Sequence, residues 1–254
     1  MLLKNNKIKY NLTNYGDIFF MIISKINFPV YGIIVVLSVV IGIVYIYRSL
    51  KKENFNNKNI FLYFLMYMMF SFTFGKIYTL ITSLEPTTFL KAGLSSYGGL
   101  IGAILASIIF EIILPSENKI IKYSILSLPL IYGLTKIACF ISGCCYGIPY
   151  DGFLSVTYPD RLNIPVFPIQ ITETICFISI FIFCNKYKNK NNIAYIAMFL
   201  TVIMKFLLDF LRYDHLTQSI TINQKFSIAL FMITIMVLIY NKFISKRIKL
   251  IDKK

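Results

Sequence analysis

Seven apolar runs, each bounded by charged or polar residues, constrain this chain more than any other feature. They cover residues 31–48, 60–82, 94–114, 121–143, 167–184, 193–211 and 225–244. A hydrocarbon core about 30 Å thick needs roughly 17–25 predominantly apolar residues to cross it as a helix. No water is available there to satisfy backbone polar groups, so such runs must be helical. A soluble all-α protein would need a polar shell around a core of this size. Hydrophobic residues make up 57% of the chain and charged residues only 15%, against roughly 45–50% apolar usage in soluble domains. The expected fold class is therefore an all-α integral membrane protein with about seven transmembrane helices. Residues 1–254 are read as a single polytopic membrane domain, without repeats or linkers.

Outside the runs, segment 17–28 is too short to cross and reads as an interfacial helix lying flat before the first span. The polar start lacks the pattern of a cleavable signal peptide. Loop 144–166 is the longest irregular stretch and holds Pro149, Pro159 and Pro165.

The net charge of +15 would suit a nucleic-acid partner if it formed one face interleaved with aromatics. Here Lys and Arg fall almost entirely in the gaps, as in loops beside an anionic membrane surface, so no nucleic acid is expected. Seven spans place the termini on opposite sides. One side collects about 15 Lys and Arg residues, including the C-terminal tail, and the other about 8. The positive-inside rule then puts the C-terminus in the cytoplasm and the N-terminus outside, although Lys4, Lys7, Lys9 and Lys25 would lie externally. This topology brings four distant segments to the outer half of the membrane. They are Ser96 to Gly99, Gly143 to Gly147, Phe167 to Glu173, and Lys205 to Arg212.

Ionisable groups inside spans cost about 2.5–3.5 kcal/mol each on insertion scales and need partners or a polar cavity. Lys76, Lys136, Glu173, Lys205 and Asp209 all fall there. Lys205 and Asp209 are spaced i,i+4 and can pair with each other; alternatively, they belong to a cationic cluster that faces an anionic substrate group. Lys136 has no partner nearby in sequence. Gly98, Gly99 and Gly102 either let helices approach closely or expose backbone N–H groups at a helix start to a ligand. Three readings stand for Cys139, Cys144 and Cys145: a metal site, a thiol-exchange or disulfide site, and small buried hydrophobes. A tetrahedral metal site wants four ligands, and the single histidine, His215, lies beyond the sixth span. No metal and no cofactor is expected. Cys176 and Cys184 read as packing residues and His215 as a solvated loop residue.

In order along the chain, these segments resemble the prolipoprotein diacylglyceryl transferase family. Tyr31 and Gly32 are similar to its W-Y-G, and Gly75-Lys76-Ile77 to G-R followed by an apolar residue. The stretch Tyr97 to Gly102 matches H-G-G-L-I-G except at its first residue. Lys136 to Gly147 overlays R-x-G-N-F-x-N-G-E-x-[WY]-G. Phe167 to Glu173 resembles H-P-[ST]-Q-L-Y-E, Lys205 to Arg212 resembles R-F-x-x-E-F-x-R, and Ile222 to Gln224 falls where the family has M-G-Q. The departures are Tyr97 for histidine, Lys136 for arginine, Cys139 and Ser142 for asparagines, Cys144 for glutamate, and Lys205 and Asp209 for arginine and glutamate.

The resemblance implies a multi-pass enzyme of the bacterial inner membrane. Such an enzyme moves a diacylglyceryl group from phosphatidylglycerol to the lipobox cysteine thiol of a preprolipoprotein. Its implied partners are that phospholipid, the acceptor and membrane lipid. Carried over by position, the expected catalytic residues are Tyr97, Lys136 and Asp209. Substrate binding falls to Tyr31, Gly98, Gly99, Gly143, Cys144, Gln170, Glu173, Lys205, Arg212 and Gln224, with Lys136 and Arg212 on the lipid phosphate. The alternative is a non-catalytic or thiol-redox relative that uses Cys139, Cys144 and Cys145.

Overall fold

The computed structural model describes residues 29–82, 88–89, 91–158, 162–190 and 192–251. The expected interfacial helix at 17–28, the N-terminal lysines and Pro159 lie outside them. Among these residues seven α-helices occupy the seven apolar runs: α1 Pro29–Lys52, α2 Asn57–Thr82, α3 Ser96–Ile113, α4 Lys119–Ile141, α5 Ile169–Lys186, α6 Ile193–Asp209 and α7 Ile222–Ile251. The first five are long and apolar enough to cross a membrane. At 17 residues, α6 spans about 26 Å at 1.5 Å per residue.

The surface is inside-out relative to a soluble protein. On α1, Ile33, Val36, Leu37, Val40 and Val44 are all at least 40% exposed. Their three- and four-residue spacing forms one stripe, and the opposite face buries Ile46 and Leu50. On α2 the exposed stripe is Phe61, Leu65, Met68, Met69 and Phe72. Such apolar patches on a helical bundle belong against lipid. This is a multi-pass membrane protein.

Helix α4 is the hub, packing on α1, α3, α5 and α6. Its segment from Tyr123 to Leu130 is buried all round, as a helix enclosed by others must be. Pro129 sits within that segment, where it cannot donate to the carbonyl one turn earlier. The closest pair is α2 against α3. A Cβ on Gly98 would collide with the Phe74 carbonyl oxygen, and one on Gly102 with the Phe70 carbonyl oxygen. With Ala106, these form a small-residue stripe that lets the two backbones touch.

Between α4 and α5 the chain is more regular than its three prolines suggest. β1 Val156–Tyr158 and β2 Leu162–Val166 pair antiparallel, Val156 opposite Val166 and Thr157 opposite Pro165. β-branched and aromatic residues favour this geometry. Tyr158 and Val166 are buried, with Phe140, Tyr146 and Leu162 packed around them. A main-chain seam then joins three segments of two connections. Ile148 N–H donates to Leu211 O (3.0 Å), Tyr213 N–H to Tyr146 O (3.0 Å), Phe167 N–H to Ile148 O (3.0 Å) and Tyr150 N–H to Pro165 O (3.1 Å). Gly147 lies in the seam because a Cβ there would collide with the Phe167 carbonyl oxygen. The seam fixes the end of α4, the start of α5 and the end of α6 at one place.

Candidate functional site

At that junction the ionisable side chains converge. From α5, Glu173 (2% exposed) accepts three groups at once. Lys136 Nζ of α4 lies 2.8 Å from its Oε2. Arg212 Nη2, just past α6, lies 3.1 Å from Oε1. The Tyr132 hydroxyl donates to Oε1 at 3.0 Å. A buried carboxylate is tolerable only when its lone pairs are matched in this way. Arg212 also reaches back, Nε to Asp209 Oδ1, at 3.6 Å. Asp209 Oδ2 accepts a short hydrogen bond from Thr221 Oγ1 at the start of α7. His215 Nε2 lies 3.8 Å from Asp209 Oδ2.

Of its two readings, Lys205 does not take the pair with Asp209. Among the described residues it forms no ion pair with Asp209 despite the i,i+4 spacing. Its ammonium lies instead between two aromatic faces, 3.9 Å from the Tyr97 ring centre and 3.7 Å from that of Tyr132. Ring quadrupoles attract a cation, by up to about 2 kcal/mol or more once desolvated. They hold the charge in place without using up its hydrogen-bond donors. The Tyr97 hydroxyl in turn pairs with Ser227 Oγ of α7 at 2.9 Å, and its ring stacks on Tyr78. Three cations, Lys136, Lys205 and Arg212, thus face two carboxylates, Glu173 and Asp209.

Comparisons with known proteins give the family. A family model described as prolipoprotein diacylglyceryl transferase matches residues 17–240. The chain belongs to that family. It is similar to phosphatidylglycerol–prolipoprotein diacylglyceryl transferase 2 of Clostridium perfringens, 24% identical over 230 residues, which covers 83% of this chain and 89% of the relative. It is similar in the same degree to a phosphatidylglycerol–prolipoprotein diacylglyceryl transferase of Clostridium tetani, 24% identical over 230 residues, covering 83% of this chain and 91% of the relative.

In this diacylglyceryl transferase family member, the structure gathers Tyr97, Lys136, Glu173, Lys205, Asp209 and Arg212 into one network. Gln170, fully buried, donates from Nε2 to Cys144 O at 2.7 Å, and its Oε1 is unpartnered. Gln224 accepts from the Thr221 N–H through Oε1 at 3.1 Å, leaving Nε2 buried without a partner. Tyr31 lies within electrostatic reach of Lys136 and of all three clustered cysteines. Gly143, at φ +58°, carries the turn that presents Cys144. Gly98 is committed to the α2–α3 contact, whereas a Cβ on Gly99 would meet only the Ser71 carbonyl oxygen, at 3.8 Å.

Lys76 stands apart from the network, donating to the carbonyls of Phe89 and Ala92 at 3.0 Å each. His215 is not solvated: its side chain is 10% exposed and stacks on Phe210. Lys136, without a partner near in sequence, has one in Glu173. Sequence reasoning missed Tyr132, Thr221 and Ser227. For Tyr132 a signal existed, since a hydroxyl in an apolar run needs a partner and Lys136 lies one turn further on.

Proposed function

We propose that this chain is a phosphatidylglycerol–prolipoprotein diacylglyceryl transferase of the bacterial inner membrane, with seven spans, its N-terminus outside and its C-terminus in the cytoplasm. The observation that carries the reading is Lys205. It is a buried ammonium held between two aromatic rings, its donors unclaimed by any carboxylate among the described residues, beside a network with more cations than anions. Such a site suits a phosphate that must sit at the edge of the hydrocarbon. The names of the Clostridium relatives supply the donor lipid and the acceptor.

In this reading Lys205 contacts the lipid phosphate, joined by Arg212 and by Lys136, the two cations that Glu173 holds in register. Gln224 Nε2 and Gln170 Oε1 are polar groups left for the glycerol head or the acceptor backbone, with Tyr31, Gly99, Gly143 and Cys144 along the approach. The acceptor thiolate forms an S–C bond to the glyceryl carbon as the C–O bond to phosphate breaks. The thiol proton ends on the glycerol phosphate, which departs with the electron pair of the broken bond. Fixed cations stabilise the charge that builds on that leaving oxygen. Tyr97 holds Lys205 with its ring and links to Ser227 through its hydroxyl, the route proposed for the thiol proton. Asp209 anchors Arg212 and α7.

Expression in a strain conditionally depleted of its own transferase tests the reading. Rescue of growth and of lipoprotein modification is expected. Failure at verified membrane levels, together with no transfer from phosphatidylglycerol vesicles to a lipobox peptide in vitro, would sink it.

A further inference from the structure

Cys139, Cys144 and Cys145 take no part in the ion network, yet their geometry is specific. Cys139 is buried in the last turn of α4, Cys144 is half-buried and Cys145 is exposed. After α4 the chain turns sharply, with left-handed backbone at Gly143 (φ +58°) and at Cys145 (φ +57°). A non-glycine residue in that region costs roughly 1–3 kcal/mol and persists only where its surroundings impose it. The seam beginning at Tyr146 does so here. The turn folds back on itself, Cys144 N–H donating to Cys139 O at 3.1 Å. The three Sγ atoms consequently lie within 4.8 Å of one another. All five cysteines are free thiols.

We propose that Cys139, Cys144 and Cys145 form a trigonal thiolate site for one soft d10 ion of the copper(I) class. Thiolate–metal bonds of about 2.3 Å place three sulfurs about 4.0 Å apart around a planar ion, so each sulfur need move inward by only about half an ångström. That is within the reach of side-chain torsions. Among the described residues no fourth His, Cys or carboxylate joins the cluster, which counts against a tetrahedral zinc site but not against three-coordinate copper(I), for which thiolates are selective. Cys145 opens the site to its surroundings, so an ion can enter and the displaced thiol protons can leave. The single cationic excess of the neighbouring network offsets part of the negative charge that a tris-thiolate complex carries.

The test uses the full-length protein, purified reduced and anaerobically in detergent, and titrated with copper(I) against a chromophoric copper(I) chelator. One equivalent should be withdrawn from the chelator, and X-ray absorption should show a shell of three sulfurs at about 2.3 Å. Loss of even an outer-shell partner costs 10–100-fold in affinity, so Cys145→Ser should cost at least about 100-fold. Cys176→Ser and Cys184→Ser should change nothing. Because Cys145 is exposed, its variant folds even if Cys139→Ser does not. The proposal is overturned if copper(I) stays with the chelator, if stoichiometric binding survives Cys145→Ser, or if the shell holds two sulfurs. Tighter binding of zinc(II) with an added oxygen or nitrogen ligand also overturns it. Ion binding is read without any transferase assay, so this proposal and the transferase reading stand or fall separately.

Discussion

Helix α4 holds a carboxylate near each end with the same two residue types. At its start, Lys119 and Tyr123 hold Glu53 from the α1–α2 turn, at 3.1 Å and 2.6 Å. Toward its other end, Tyr132 and Lys136 hold Glu173, at 3.0 Å and 2.8 Å. In both cases the tyrosine and lysine are four residues apart and so share one helix face. The difference lies in the surroundings. Glu53 and Lys119 are 28% and 34% exposed, whereas Glu173 and Lys136 are 2% and 6% exposed. Water and salt screen the first pair, so its contribution is small. The second has no solvent to fall back on, and Arg212 depends on it as well. One is a tie between helix ends; the other is the frame on which the candidate site is built.

Experiments can break this contrast in order of expected effect. Glu173→Gln should be the most damaging, since it leaves two buried cations without their shared counter-charge. A loss of about 3–5 kcal/mol is expected in unfolding measurements in detergent, with transfer activity abolished. Next, Lys205→Met should leave unfolding nearly unchanged, because no carboxylate loses its partner, yet reduce transfer from phosphatidylglycerol by about 100-fold or more. A large stability loss with intact transfer would reverse the roles of Glu173 and Lys205. Tyr132→Phe keeps the ring over Lys205 and removes only the bond to Glu173, so about 1 kcal/mol is expected. Tyr132→Leu also removes the aromatic face, and should cost more in activity than the phenylalanine variant does.

The smallest effect belongs to Glu53. Glu53→Gln should cost no more than about 1 kcal/mol, and less at high salt. The Tyr123 hydroxyl foremost, then Lys119, hold the Glu53 carboxyl below its ordinary 4.5. A depressed folded value means that the unfolded chain takes up the proton first. The stabilisation is therefore present above about pH 4.5 and fades as pH falls through the folded value. Stability measured from pH 6 downward should fall less steeply in Glu53→Gln than in the parent.

Run length and charge placement made the seven helices legible in the sequence, because lipid permits little else for such segments. The hairpin was not legible, since Pro149, Pro159 and Pro165 masked a short strand pair whose pairing is non-local. Family motifs pointed to most of the residues now found in one network, but not to who pairs with whom. Lys205 and Asp209 show why. Their spacing permits a pair, and spacing alone cannot reveal that Tyr97 and Tyr132, from two other helices, offer the lysine an alternative. Tyr132 went unnoticed because an aromatic in an apolar run reads as packing until its hydroxyl is seen to have a partner.

The main-chain seam also sets a schedule for biogenesis. It joins the ends of segments that leave the ribosome at different times, and its last stretch, Leu211 to Tyr213, follows the sixth helix. Until that helix is inserted, Glu173 has only Lys136 and Tyr132 for company, and the Ile148 N–H and the Tyr146 carbonyl lack their partners. A chain stalled after α5 is therefore an unfinished frame, its buried carboxylate still short of one of the two cations that hold it in the completed protein.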